Sequence, residues 1–450
     1  MQRNKTKPNI FENITTVYIL LMLTLFLFFF GENGYVNIMD TKYRLFCALC
    51  GGYILIIGVI AVESLIVGTI KLRPPLSMLR ASSWAQRLAL IYIALTWASA
   101  LVSPYFPETV LGASRYEGAL TITIYGISFL LVSVYGKVSR GILWILGAAV
   151  LLFSAICLLQ ITGYNPLSLF PEGIGYADKY VAYPGAYLGT IGNVDLVAAF
   201  FCLTIPIMWV ALLRLNGKLR FLLLIPLSVA LVTLLSMDVL AGLVGVFVGG
   251  ILSVPVVAPV SGKWKKIIWT AIVAVGIACI AVIFFVDIGT GFLHELHEIL
   301  QGRPRGHYGS CRIHIWGEVL RAIPNNIMFG AGPDTMIRAG LRGLSTINAD
   351  IGVIVKEEID VAHSEYLNIL FHQGVFALIA YLGLLALLAK KWLCNSSKDA
   401  VSAILGASAC CYCIQALFGI SMFITAPLFW LALGLLESRS SLKYTGGCKK

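Results

Sequence analysis

Two stretches of this 450-residue chain place ionisable side chains at spacings that suggest chemistry. In "VAHSEYLNILFHQGVFALIAYLGLLALLAK" (361–390), His363 stands at the mouth of an apolar helix and Gly374 follows eleven residues later. Eleven residues is about three helical turns, so in a continuous helix both would fall on nearly one face. Ser364 or Asp360 could cap that helix. A neutral imidazole there can accept a proton or a hydrogen bond. The plainer reading is an interfacial anchor, and His372 then reads as a packing residue on a second face.

The other stretch is "GRPRGHYGSCRIHIWGEVLRAIPNNIMFGAGPDTM" (302–336). Ser310 is a candidate N-cap, Arg312, Trp316, Val319 and Ile323 recur at helical spacing, and Pro324-Asn325-Asn326 stops the run. A short amphipathic helix is expected, lying on the membrane surface or folded over a bundle. Arg312 falls early in it, where the macrodipole disfavours a cation by ~0.3–1 kcal/mol, so a nearby anion would account for its position. Arg303, Arg305 and His307 lie just upstream and make a cationic patch. Across 288–364 there are six Arg and one Lys. Arginine suits bidentate phosphate geometry, which favours a specific phosphate ligand, although attraction to acidic lipid headgroups fits the same composition.

These residues must be carried by membrane helices. The chain is 59% hydrophobic and 12% charged, with mean hydropathy +0.88, against about 25% charged in soluble domains. Apolar runs near the ~20 residues needed to span a bilayer fall at 14–30, 45–70, 88–102, 119–135, 141–161, 191–213, 221–237, 239–255, 267–287, 365–389, 401–418 and 421–436. The expected fold is therefore an all-α polytopic membrane protein of about twelve spans. The breaks around Ser236–Asp238 and Gly419–Ser421 are each compatible with a tight hairpin or one long broken helix. Arg3, Lys5 and Lys7 precede the first run as in a signal peptide, but "FFFGENG" lacks a small-x-small cleavage site, and an uncleaved first helix is expected.

The formal net charge of +11 reads as topology rather than nucleic-acid binding. With the N-terminus cytoplasmic, 22 of the 33 Lys and Arg fall in cytoplasmic segments, and the short outer loops hold only Lys42, Arg44, Arg115 and Lys179. The positive-inside rule then puts both termini in the cytoplasm and the 288–364 loop outside. Three regions follow: a nine-helix block over 1–287, the extracytoplasmic loop 288–364 with short helices, and a three-helix block with a basic tail over 365–450. The other long outer loop, 162–190, is rich in Gly, Pro and Tyr. Most of the eleven cysteines lie within apolar runs and read as small hydrophobes, and Cys47-x-x-Cys50 has no second pair.

Three acids near or within the spans, Asp195, Asp238 and Glu63, leave a second class open. This is a multi-span transporter or flippase for an anionic solute or a lipid-linked sugar. The acids are few and scattered, and no matching broken-helix halves appear. "HELHE" (294–298) is not the HExxH zinc pattern. "GAGPDT" (330–335) holds a lone GxG without a preceding strand.

The motifs resemble the O-antigen ligase / O-antigen polymerase superfamily of bacterial membrane glycosyltransferases. "CRIHIW…IPNNIMFGAGPDTM" is similar to that group's Arg-bearing helix, proline and G-x-G turn (Gly330, Gly332). "AHSEYLNILFHQGVFA" is similar to its His, polar residue and distant Gly (His363, Ser364, Gly374); Ala377 departs from the pattern. "SRYEG" (114–118) and "GTIGNVD" (189–195) echo further motifs, whereas Met237-Asp238 stands where members often carry a cation. The resemblance implies a GT-C-like helical fold in the bacterial plasma membrane. It implies transfer of a glycan from a polyprenyl diphosphate-linked donor to a glycan or lipid-anchored acceptor, outside the membrane, with no metal and no cofactor. His363 would serve the acceptor hydroxyl as base or hydrogen-bond partner, and Arg312 the diphosphate. Arg115, Arg303, Arg305, Trp316 and Asp195 would line the substrate.

Overall fold

The computed structural model describes residues 10–68, 81–170, 188–287, 289–348 and 353–441. The leader with Arg3, Lys5 and Lys7, the basic stretch 71–80, most of the 162–190 loop with Lys179, and the tail beyond 441 lie outside the described residues.

Nine described helices are long and apolar enough to cross a membrane, and three shorter apolar helices accompany them. In chain order these are α1 (Ile10–Phe28), α2 (Ile38–Ile66), α3 (Trp84–Val102), α4 (Ala119–Tyr135), α5 (Arg140–Ile161), α6 (Val194–Arg214), α7 (Lys218–Ser236), α8 (Leu240–Val257) and α9 (Gly262–Phe285). After them come two helices of the long loop, α10 (Gly291–Leu300) and α11 (Arg312–Ala322), then α12 (Glu365–Asn395), α13 (Ala400–Gln415) and α14 (Ala426–Ser441). The chain is a multi-pass membrane protein by helix length and hydropathy. Both ambiguous breaks are turns between separate helices, with Asp238 at φ 51° between α7 and α8.

Capping side chains explain several starts. Ser83 and Gln86 form a reciprocal capping box at α3, and Asn193 accepts from the Leu196 amide at α6. Helix α6 is the most enclosed, its buried positions running on all sides from Leu196 to Ala211. It packs against α8 and α13, while α3 packs on α12 and α4 on α14. At the other extreme, α9 has no buried residue.

The expectation of a purely helical long loop needs correction. Leu344–Asn348 (β1) and Val353–Glu357 (β2) pair antiparallel, with Leu344 opposite Glu357 and Asn348 opposite Val353. The β-branched residues Val353, Ile354 and Val355 carry that tendency. The loop has its own small core, in which Ile315 and Val319 of α11, and Ile323 just after it, meet Ala331, Met336, Ile359, Ala362 and Phe371.

A second correction concerns Gly374. Helix α12 is interrupted there, at φ 82° and ψ 178°, so His363 and Gly374 do not share one face of a continuous helix. The residues 327–332 fill the gap. The Val375 amide donates to Ile327 O (2.8 Å), while Ala331 and Gly332 amides donate to Phe371 O (2.8 Å) and His372 O (2.9 Å). Backbone groups released inside a membrane protein must find such partners, because the hydrocarbon offers none. A Cβ at Gly374 would lie 2.2 Å from Met328 O, and one at Gly330 would lie 2.3 Å from His372 C. Two glycines 44 positions apart are thus required by a single backbone-to-backbone contact.

Candidate functional site

The break in α12 anchors the loop to one end of the bundle. Around it, the chain brings together motif residues that are far apart in sequence. Asp334 of "GAGPDT" accepts from the Ser114 hydroxyl (2.9 Å) and amide (3.1 Å), the Arg115 amide (2.7 Å) and the Glu117 amide (3.4 Å). Four donors on one carboxylate fix the "SRYEG" turn against the G-x-G segment. The sequence reading of that motif, as a nucleotide cradle and as the G-x-G turn of the resemblance, rests on its glycines and passes over Asp334.

Arg115 is committed elsewhere than expected. Its Nε and Nη2 pair with the two oxygens of Asp360 at 2.7 and 3.0 Å, a bidentate bridge. Asp360 therefore does not cap α12. Ser364 holds the N-cap position, without a side-chain cap bond, and Asn368 accepts from the Ala362 amide at 2.8 Å.

At the centre of this end stand Asp195, Arg312 and His363. Asp195 lies in the first turn of α6, where the helix dipole favours an anion. Its Oδ1 is 3.8 Å from Arg312 Nη2, and its Oδ2 is 3.5 Å from His363 Nδ1. The second distance is an ion-pair approach rather than a hydrogen bond, and His363 Nδ1 is buried without a hydrogen-bond partner. Asp195 and Arg312 are largely buried, and the His363 side chain is 30% exposed. With Nδ1 turned to Asp195, Nε2 is the nitrogen left for a ligand. His363 also adopts a left-handed backbone, φ 47°, uncommon for a non-glycine residue and often found at functional positions.

Helix α11 starts one residue later than Ser310 capping implied. Gly309, Ser310 and Cys311 are all left-handed (φ 62°, 56° and 65°), and Cys311 holds the N-cap position without a side-chain bond. Backbone closes the end instead, with the Arg312 amide on Gly309 O and the His314 amide on Gly306 O. This turn aims Arg312 inward. Its Nε donates to Phe418 O (3.0 Å) and Nη1 to Gly309 O (2.9 Å), leaving Nη2 facing Asp195. Trp316 Nε1 donates to Ala362 O at 2.9 Å, and its ring stacks on Phe418 at 6.1 Å. Trp316 therefore holds the residue before His363 in place.

The upstream cations are not joined to this group. Arg303 is exposed and pairs with Glu298 at 2.8 Å. Arg305 is exposed, and no hydrogen bond or ion pair links it to Asp195, Arg312 or His363 among the described residues. His294 and Asp287 pair at 2.7 Å where α10 follows α9, and this contact, first of all, holds the Asp287 carboxyl below its ordinary range. No group of three or more His, Cys, Asp or Glu among the described residues is placed to hold a metal. His372 is buried, with Nδ1 3.0 Å from Gly332 O and 3.3 Å from the Thr335 amide, which makes it part of the anchor. Glu63 sits near the opposite end of α2 from Asp40, roughly 35 Å away along the helix.

Beside the group opens a cleft of about 280 Å³ lined by residues 35–40, Arg115, Ile191 to Asn193, Leu196, Met422 and Ile424. Asn193 and Leu196 flank Asp195 in sequence, so the cleft runs along the start of α6. No protein-family model matches this chain, and neither does any curated protein.

Proposed function

We propose that this protein is a membrane glycosyltransferase that works at the loop end of its bundle, on the extracytoplasmic side. The donor is a glycan on a polyprenyl diphosphate carrier and the acceptor is a hydroxyl of a glycan or a lipid-anchored molecule, as the motif resemblance implies. The observation that carries this reading is the meeting of Arg312, Asp195 and His363 beside an open cleft. One motif supplies a cation for a leaving diphosphate, another a histidine with a free nitrogen, and a third the carboxylate that orients both.

In the reaction, the acceptor oxygen bonds to the anomeric carbon while the bond from that carbon to the phosphate oxygen breaks. The departing diphosphate keeps the electron pair, and Arg312 stabilises its charge in a site of low dielectric. His363 Nε2 takes the acceptor proton, with Asp195 turning the ring and stabilising the imidazolium that forms. Arg115 supports the "SRYEG" turn through Asp360 and reaches the cleft edge. Asp195 is engaged by a histidine and an arginine, an arrangement that suits group transfer better than the solute-coupling alternative.

The test is reconstitution of the full chain in nanodiscs with a polyprenyl diphosphate-linked oligosaccharide and acceptor. Release of free polyprenyl diphosphate together with a new glycosidic bond is expected, and both should be lost in His363→Ala. Movement of the intact lipid-linked glycan across the bilayer without bond formation would instead establish the transporter.

A further inference from the structure

Behind the Arg115–Asp360 pair lies a second, smaller cavity of about 70 Å³ whose chemistry the proposed transfer does not use. Arg115 lines both this cavity and the outer cleft, so the ion pair stands between them. Glu117 and Glu365 face the cavity from the turn before α4 and the first turn of α12. Neither has a cation beside it among the described residues. Each accepts one tyrosine hydroxyl, Tyr125 on Glu117 Oε1 at 2.7 Å and Tyr381 on Glu365 Oε1. A tyrosine hydroxyl can donate to either form of a carboxyl group, so neither contact neutralises the acid when it ionises.

Glu365 is 6% exposed, and its Oε2 is buried with no hydrogen-bond partner; the hydroxyls of Tyr412 and Ser421 are its nearest polar company. The remaining charges do not balance the account. Arg115 is matched by Asp360, and Asp334 is held by four donors but by no cation. His372 is occupied with Gly332 and Thr335. Burial pushes the Glu117 carboxyl well above its ordinary range, and Asp334 and Glu365 add to this. Holding either acid ionised and unpaired here costs several kcal/mol, so an occupant that supplies positive charge favours the ionised pair over the protonated one.

The walls say what kind of cation fits. Tyr92, Tyr125 and Tyr381 surround Trp430, with ring centroids 6.1, 6.3 and 6.0 Å from it, and all four line the cavity. Aromatic faces and carboxylates together bind weakly hydrated monovalent cations. The volume is several times the ~10–15 Å³ that one water needs, but too small for a sugar ring. It suits one small ion with a water or two. We propose that this chamber is a monovalent-cation site, taking an alkali or ammonium-type ion between Glu117 and Glu365.

The inference stands apart from the transfer reading and is tested without activity. Full-length protein in nanodiscs is melted at pH 6, 7 and 8 and constant ionic strength, in chloride salts of sodium, potassium, ammonium or methylammonium, with bulky N-methylglucamine as reference. A small cation should raise Tm by several degrees, saturably, and more at pH 8 than at pH 6, because protons compete for the same carboxylates. At a hundred times its Kd the ion favours the folded state roughly a hundredfold. Sodium or potassium responding points to an alkali ion; ammonium or methylammonium responding alone points to an amine. Glu365→Gln and Glu117→Gln should each abolish the response. Should Glu365→Gln fail to fold, Glu117→Gln and the wild-type salt series decide alone. Equal melting in all salts, or a response that survives Glu117→Gln, overturns the site, and a pH dependence identical in every salt assigns the chamber to protons only.

Discussion

Asp195 and Glu365 begin alike. Each is an acid in the first turn of a long apolar helix, at the same end of the bundle, where the dipole favours a negative charge. Their surroundings separate them. Asp195 meets Arg312 and His363 at ion-pair distance, next to a cleft of about 280 Å³, whereas Glu365 meets a tyrosine hydroxyl and keeps one oxygen unpartnered at a cavity of about 70 Å³. Helix position sets the sign of charge that each start tolerates. The loop and the 416–422 connector decide whether that charge is met by a cation and an imidazole or by hydroxyls alone.

The largest effect should come from the partners of Asp195. His363→Ala is expected to lower the transfer rate by about 10²–10⁴-fold, and Arg312→Ala by about 10²–10³-fold, measured as release of free polyprenyl diphosphate. Glu365→Gln should leave that rate within a fewfold. If Glu365→Gln proved as damaging as His363→Ala, the division between the two acids would collapse.

Gly374→Ala comes next and reads out in stability. The new methyl would need a left-handed backbone and would meet Met328 O at 2.2 Å, which costs about 3 kcal/mol or more. A lower melting temperature in detergent, accompanied by protease sensitivity in 327–335, is the expected result. Unchanged melting would mean that the loop does not rely on the α12 break to reach Asp195.

Asp195→Asn tests the orienting role itself. Losing the carboxylate beside His363 and Arg312 removes charge-assisted contacts worth about 1.5–3 kcal/mol, roughly ten- to a hundredfold in rate. The fall should appear in kcat more than in KM for the carrier lipid, since Arg312 keeps two carbonyl partners and stays in place. A loss confined to KM would move Asp195 into substrate binding.

Much of the bundle could be read before any coordinates, because a span announces itself by some twenty apolar residues in a row. The placement of Arg312 and His363 at the starts of helices was legible too. What could not be read was which distant groups would meet them. Asp195 lies 168 residues before His363, and the "GTIGNVD" echo sets it apart from Asp238 without saying which side chains it faces. Asp334 and Asp360, which tie "SRYEG" to the loop, sit in irregular segments without periodicity. The Gly374 spacing misled for a related reason. Counting residues assumes an unbroken helix, and the break shows only where Met328 and Phe329 press against it.

A smaller effect is expected at Glu117, on the chamber side. Its folded carboxyl titrates above the ordinary range, so the stability tied to its protonated form is complete at pH below about 4.3 and is lost as pH rises through the raised value. In a buffer without small cations, Tm should therefore decline from acid toward neutral pH, and Glu117→Gln should flatten part of that slope. A steeper slope in the variant would contradict the direction of the shift.

The smallest effect is expected where the sequence pattern looked richest in charge. Arg303 stands nine residues before Arg312 in the same basic run, yet it is 60% exposed and pairs with Glu298 at the end of α10. An exposed pair of this kind contributes about 0–1 kcal/mol, and it faces neither Asp195 nor His363 through any described contact. Arg303→Ala should leave melting within a degree or two and transfer within about twofold, that is, near 0.4 kcal/mol. Increasing the salt concentration should change the wild type and this variant alike. A tenfold or greater loss of transfer in Arg303→Ala would show that the basic lead-in folds onto the cleft when the diphosphate arrives, placing a second arginine beside Arg312 on the reacting side of the comparison.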